Sequence, residues 1–227
     1  MSGARYGRDV KTLGQARSEF LAKRSPKLIA AGIALTLAAR LVLGGFSWRD
    51  LVAAAAMLVI YPFGEWAIHV YLLHLKPFKF RGERTELATA RSHREHHEQP
   101  NDLYMILLAP SEAAALMFLA VPLIPVLAGL VIAAAGGSVP YGALLTGVLT
   151  GQVLVAIYEW THFLIHTAYR PRSRYYRSIW RNHRLHHFKN EHYWHGITNT
   201  LGDRAMGTLR DQRDVQKSET ARTLAPN

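Results

Sequence analysis

Four runs of apolar residues constrain this chain more than anything else in it. Each is long enough to cross the roughly 30 Å hydrocarbon layer of a bilayer at about 1.5 Å per helical residue. Leu28 to Phe46 is broken only by Arg40, and Leu51 to Leu75 only by Glu65, His69 and His74, all in its second half. Ala113 to Pro140 holds no charged residue, Gly136-Gly137-Ser138 supplies a turn, and Tyr141 to Tyr158 continues uncharged to Glu159. One such run could be a buried helix of a soluble domain, but a set of four reads as a small membrane bundle. Pro122 and Pro125 are expected to kink the third helix. Because 27 mostly polar residues precede the first run, it is expected to stay in place rather than act as a cleaved leader.

Charge gives an independent test of this layout. The segment before Leu28 holds seven Lys and Arg, the stretch from Lys76 to Leu108 six, and the residues from Tyr169 onward twelve, while Arg49 is alone on the opposite connections. The positive-inside rule then puts both termini and the central loop on the cytoplasmic side. Part of the net charge of +11 is thus orientation signal and argues weakly for nucleic acid, which is not expected as a partner. The same basic face would attract anionic lipid or an acidic redox protein. The absence of cysteine rules out disulfides, thiolate metal sites and cysteine nucleophiles.

All 12 histidines fall between His69 and His195, in groups. His93, His96 and His97 stand at i, i+3 and i+4, as do His183, His186 and His187, so in helices each trio projects from one face. His162 and His166 also share a face. His69 and His74 are five apart, offset by about 140° on a regular helix, so they require a bend, a helix end, or service to different ions. The topology brings all the groups to the cytoplasmic side. Neutral imidazole binds Zn, Cu, Fe or Ni, and one ion takes roughly four to six ligands, so about ten histidines suggest two ions. His192 and His195 stand between ligand and supporting roles. Glu65 and Glu159 precede His69 and His162 by four and three residues, and are expected to accept imidazole N–H groups.

The blocks Glu65-Trp66-Ala67-Ile68-His69 through His74-Leu75-Lys76-Pro77, His96-His97 with Pro100 and Asp102, Tyr158-Glu159-Trp160-Thr161-His162 through His166, and His186-His187-Phe188-Lys189-Asn190 stand in a telling order. Gly196-Ile197-Thr198 and Gly202-Asp203 through Gly207-Thr208 continue it. Over about residues 60 to 208 the chain resembles the membrane-bound fatty acid hydroxylase superfamily, and within it the fatty acid (sphingolipid) 2-hydroxylases. The resemblance implies two iron ions, replaceable by zinc in a purified sample, with O2 as cosubstrate and C2 of a lipid acyl chain as target. Many eukaryotic members carry an N-terminal haem domain of b-type cytochrome kind. The segment before the first helix is too short for one, which implies a separate electron donor such as a b-type cytochrome or ferredoxin system. The segment His192-Tyr193-Trp194-His195 departs from the family pattern, which bears on the substrate pocket more than on the metal centre.

The expectation is therefore an all-α integral membrane protein with about four transmembrane helices and a cytoplasmic histidine-rich helical cap holding a dimetal centre. Residues 1–27 form a basic cytoplasmic segment. Residues 28–208 form the membrane domain, with spans near 28–46, 51–75, 113–135 and 141–166. Residues 209–227 form a polar tail, expected to be mobile. The expected activity is lipid hydroxylation; a sterol, carotenoid or sphingoid base as substrate, or desaturation instead, would suit the same scaffold. A membrane metal transporter or buffer is the alternative of a different class, but it would place ligands near the bilayer midplane.

Overall fold

Where water is absent, every backbone N–H and C=O must be satisfied within the segment, and the apolar runs accordingly form helices. The computed structural model describes residues 6–224. After a short 3-10 turn at Gly7–Asp9 come α1 (Leu13–Ala22), α2 (Arg24–Leu43) and α3 (Trp48–Ala67), the last prolonged by a π-helical turn, Ile68–Leu73. A hairpin of β1 (Phe78–Phe80) and β2 (Glu83–Thr85) leads to α4 (Ala88–Glu98). Next are α5 (Pro110–Ala115), a π-helical stretch Leu116–Ala120, α6 (Val121–Ala134), α7 (Tyr141–Ile165), α8 (Arg174–Phe188) and α9 (Leu201–Ala205). Among the described residues, four stretches are long and apolar enough to cross a membrane: Arg24–Leu43, Trp48–Leu73, Pro110–Ala134 and Tyr141–Ile165.

Local chemistry sets the limits of these spans. The first begins at Arg24 rather than at Leu28, and it stops at Leu43 because Gly44 and Gly45 take φ of 59° and 60°, which ends the helix at little steric cost. Pro122 and Pro125 do not break the third span. The π-helical stretch Leu116–Ala120 lies immediately before them, where the hydrogen-bond pattern must shift to accommodate rings without an N–H. The hairpin is an addition to the expected all-α fold. Arg81 and Gly82, at φ of 51° and 86°, form the two-residue turn whose twist suits paired strands, and Phe78 pairs with Thr85.

The chain forms two units. One comprises Leu21–Tyr61 and Leu108–Glu159. Its core is Ile29, Ala113, Met117, Val121 and Val155. A side chain at Gly151 would meet Val121 at 2.7 Å and Met57 at 2.9 Å, so the absence of one there permits close packing. Many apolar side chains, including Val42, Leu51, Leu119 and Val131, face outward, as suits hydrocarbon as the surrounding solvent. Arg40, 1% exposed, is tolerated inside the first span because it is paired. Its guanidinium donates to Asp50 Oδ1 (2.5 Å) and the Gly44 carbonyl (2.6 Å), and lies 3.8 Å from the Phe46 ring centroid. Thr146 Oγ1 donates to the same carboxylate at 2.6 Å.

The other unit comprises the N-terminal residues to Phe20, Pro62–Leu107 and the residues from Trp160 onward. Val10, Ala16, Leu103, Ile106, Phe163 and Leu164 form its apolar core, with Phe20 and Trp160 against it. The N-terminal residues are bonded to this unit at Gly7, whose N–H donates to the Asn101 carbonyl (2.8 Å) and whose carbonyl accepts from Ala168 N–H (2.9 Å), while α1 buries only Ala16.

The Arg40 pair yields a stability prediction. Asp50→Ala strands a buried guanidinium and is expected to cost about 3–5 kcal/mol, whereas Arg40→Leu with Asp50→Leu should cost much less. Denaturant unfolding of the three proteins in one detergent checks the order; equal losses would mean that the pair is not electrostatically coupled.

Candidate metal centre

Four helical segments deliver ten imidazoles to one place. Among the described residues they form two groups: His69, His74, His93, His97 and His186; and His96, His162, His166, His183 and His187. Within each group the ligand atoms all lie within 4.8 Å of one another. The two groups adjoin, with the rings of His97 and His187 4.0 Å apart.

The groups are built reciprocally. In α4 the i, i+4 pair His93 and His97 serves the first group while His96 serves the second; in α8 the pair His183 and His187 serves the second while His186 serves the first. Each HxxHH helix thus straddles both groups. His162 and His166, one turn apart at the end of α7, complete the second group. The first is completed by the π-helical turn. Its five-residue hydrogen bond, from His74 N–H to the His69 carbonyl at 3.2 Å, stacks residues that a 3.6-residue helix would set about 140° apart.

Backbone carbonyls orient the rings. Nδ1 of His69 donates to the His195 carbonyl (2.6 Å), that of His97 to Ala221 (2.8 Å) and that of His186 to Tyr193 (2.8 Å). His162 and His166 bond the backbone of Ile106 and Pro100. A carbonyl only accepts, so Nδ1 carries the proton in the three measured bonds and Nε2 is left with a lone pair. Nε2 atoms then face one another: His69 and His93 at 3.2 Å, His74 and His186 at 3.2 Å, His166 and His183 at 3.1 Å, His183 and His187 at 3.0 Å. These are the separations of neighbouring corners around an ion bound at about 2.1 Å. Among the described residues, both ring nitrogens of His96 and Nε2 of His97 are buried without a hydrogen-bond partner, a cost of about 1–3 kcal/mol each that coordination would remove. An all-imidazole donor set suits a borderline transition metal rather than calcium or magnesium.

Electrostatics prepare the rings for this. Burial, and after it the charge of neighbouring imidazoles, holds His74, His93, His96, His166, His183, His186 and His187 well below the usual histidine value of 6.5. Burial likewise brings His97 down to about 4. The rings are therefore neutral at pH 7, the form that binds metal.

The supporting residues differ from expectation. Neither His192 nor His195 belongs to the two groups. The His192 side chain is 68% exposed, with Nε2 3.5 Å from Glu191 Oε1, and His195 contributes its carbonyl to His69 instead of its ring. Glu65 was expected to accept an imidazole N–H, but both ring nitrogens of His69 are engaged elsewhere. Glu65 holds a loop, accepting from Ile197 N–H (2.5 Å), Thr198 N–H (2.8 Å) and the Thr198 hydroxyl. Asp203 holds the same loop from the other end, accepting from His195 N–H (2.9 Å) and Gly196 N–H (2.8 Å). Burial works to raise the Asp203 carboxyl, yet these bonds and that of Thr208 keep it below its ordinary value. Glu159 accepts from the Ser25 hydroxyl (3.1 Å) and Leu108 N–H (3.2 Å).

The residues after Thr208 were expected to be free, but as far as Leu224 they fold over the site. Ala221 and Leu224 are buried, Ser218 and Thr220 donate to Glu191, and Arg222 donates to the carbonyls of His97 (2.9 Å) and Glu98 (2.5 Å). Polar composition concealed this strap, and no side-chain pattern marks a carbonyl such as that of Ala221. A cavity of about 260 Å³ opens beside the first group, lined by His74, His195, Trp66, Val70, Glu191 and Leu224 among others.

Fold and site together define a helical membrane protein with a histidine-rich candidate metal centre. The chain belongs to the fatty acid hydroxylase family, whose model matches residues 54–208. Among curated proteins it is 28% identical over 145 residues to a dihydroceramide fatty acyl 2-hydroxylase of Arabidopsis thaliana, FAH2, covering 64% of this chain and 55% of that one. It is 26% identical over 176 residues to a second Arabidopsis protein of that description, FAH1, covering 77% and 68%. It is 28% identical over 158 residues to the fatty acid 2-hydroxylase of Homo sapiens, covering 68% and 38%. The chain thus spans about half the length of the curated relatives it matches. No solved structure matches it significantly.

Two predictions follow from the geometry. His186→Ala should deplete the first group and His96→Ala the second, each lowering bound metal by about one ion per chain in elemental analysis; full loading of both variants would remove these residues from the site. The pH dependence concerns the metal-free protein. The unfolded chain takes up protons near pH 6.5 where the folded chain resists them, so stability is complete above about 6.5 and is lost as pH falls, for His97 down to about 4. Unfolding midpoints that are flat from pH 7 to 4 would contradict this.

Proposed function

We propose that this protein is a membrane-bound non-haem diiron oxygenase that hydroxylates a lipid acyl chain at C2, using O2 and electrons from a separate donor. The observation that carries the reading is the pair of adjoining five-imidazole groups, His69, His74, His93, His97 and His186 beside His96, His162, His166, His183 and His187. When bound, an iron pair supplies dioxygen activation and the oxidation of an unactivated C–H bond. Zinc would compete for the same nitrogens.

The chain's own groups hold, orient and exclude. The ten imidazoles would fix both ions, and the carbonyls of His195, Tyr193 and Ala221 set the direction of three of them. Glu65 and Asp203, by clasping residues 195–198, keep the His195 carbonyl in position. The strap ending at Leu224 and the burial of nine of the ten rings keep bulk water away. C2 is favoured by the character of the cavity beside His74. Its lining combines polar groups (Lys76, Glu191, Thr208, Thr220) with apolar ones (Trp66, Val70, Leu224), so a lipid's polar head and the first carbons of its chain would sit next to the metal ligands. Fixing that carbon near the oxidant can lower the barrier by several kcal/mol. The names of the three relatives, each an acyl or fatty acid 2-hydroxylase, support the same position. The distribution of Lys and Arg supports a cytoplasmic location for the histidines.

The test is mass spectrometry of hydrolysed lipids from cells grown under labelled dioxygen. A labelled 2-hydroxy acid present with this protein and absent with His186→Ala is expected. Label in a sterol, carotenoid or long-chain base instead would overturn the substrate, and no labelled product with a competent donor would overturn the reaction.

A further inference from the structure

The second helix of the centre has an outer face for which the metal groups give no reason. Between Trp160 and Asn190 the sequence carries six arginines and Lys189, and not one aspartate or glutamate. Arg170, Arg172, Arg174, Arg177, Arg181 and Arg184 are all exposed. Arg177, Arg181 and Arg184 stand at i, i+4 and i+7 along one side of α8, while His183, His186 and His187 on the same helix are buried in the two metal groups. Arg170, Arg177, Arg181 and Arg184 rim a groove of about 690 Å³ whose lining includes Tyr169 and Trp180, with the Arg184 guanidinium 4.9 Å from the Trp180 ring centroid. Trp180 Nε1 is buried there without a hydrogen-bond partner among the described residues. Asp211 lies near Arg181 but is paired with Arg213 at 2.9 Å. Among the described residues, Arg170, Arg172, Arg174, Arg177 and Arg184 make no ion pair. So much unneutralised like charge in one place repels itself and works against folding, so it calls for a reason outside the fold.

We propose that this arginine face of α8 is the docking surface for an acidic one-electron carrier protein. The inference rests on the oxygenase reading, which sets the demand: a C–H substrate, O2, two electrons and two protons give the hydroxylated product and water. The electrons arrive one at a time from a reduced carrier, which is oxidised twice per turnover. A carrier seated on this face is separated from the ligands of both groups by about one helix thickness, roughly 10–12 Å with side chains. Its acidic surface is complementary to the arginines, and such complementarity raises association rates about 10- to 10³-fold at low salt. An anionic lipid surface would satisfy the charge but would bring no electrons, and it has no use for a concave groove with an indole in its wall.

The experiment uses the full chain, loaded with iron, in neutral phosphatidylcholine nanodiscs. The probe is an acidic [2Fe–2S] ferredoxin, and its binding is measured directly and without lipid substrate. Affinity is expected to fall at least about tenfold between low salt and about 0.3 M, and Arg177→Glu with Arg181→Glu and Arg184→Glu should weaken it about tenfold at low salt. Iron content, and turnover driven by reduced methyl viologen, should stay within about twofold of the unaltered protein. Unchanged affinity of the variant would overturn the proposal, as would failure of the unaltered protein to bind either the ferredoxin or an acidic b-type cytochrome. Loss of adhesion to phosphatidylserine vesicles with ferredoxin binding intact would reassign the face to lipid. If viologen drives no hydroxylation of any acyl lipid in the unaltered protein, the oxygenase reading falls, and the binding measurement still decides the role of this face.

Discussion

Ten imidazoles packed ring to ring, with Nε2 atoms of neighbouring rings 3.0–3.2 Å apart, form an arrangement that no apolar core would favour. Where a carbonyl holds the Nδ1 proton, as in His69 and His186, Nε2 keeps a lone pair aimed at its neighbour, and protonating the cluster would bury several like charges. Divalent ions resolve both problems at once. Most of the unit that contains the histidines can be understood as the means of holding these rings still. The reciprocal use of α4 and α8, each giving two rings to one group and one to the other, ties the two groups into a single rigid object. Neither can be distorted without moving both helices.

Around the rings the protein spends its polar groups economically. Main-chain carbonyls of Tyr193, His195 and Ala221 direct His186, His69 and His97, so orientation depends on where the loops run rather than on further acidic side chains. The buried carboxylates act one step further out: Glu65 and Asp203 fix the loop that bears His195, and Glu191 fixes Ser218 and Thr220 of the strap that bears Ala221. A negative charge held two links away can position a ring without occupying a coordination place, leaving the cavity beside His74 open.

The apolar runs, and the i, i+4 pairs His93 with His97, His162 with His166 and His183 with His187, were legible in the sequence because periodicity and length report directly on helix geometry. His69 and His74 were not resolved, since a 3.6-residue period leaves them on different sides and nothing in Ile68–Leu73 announces a π-helical turn. The division of each HxxHH trio between two groups was also hidden. It depends on how α4 and α8 meet, not on either helix alone. Glu65 and the strap were misjudged for related reasons: their partners are backbone groups and hydroxyls distant in sequence, which leave no pattern. The Arg81-Gly82 hairpin turn was short enough to pass unnoticed between two helical signals.

The most direct test of the central claim is X-ray absorption spectroscopy with elemental analysis on the protein reconstituted with iron. Two ions per chain, each surrounded mainly by about five imidazole nitrogens, are the predicted result. One ion or none per chain, or a coordination sphere dominated by carboxylate oxygen, would contradict the assignment of these ten histidines to a paired metal centre.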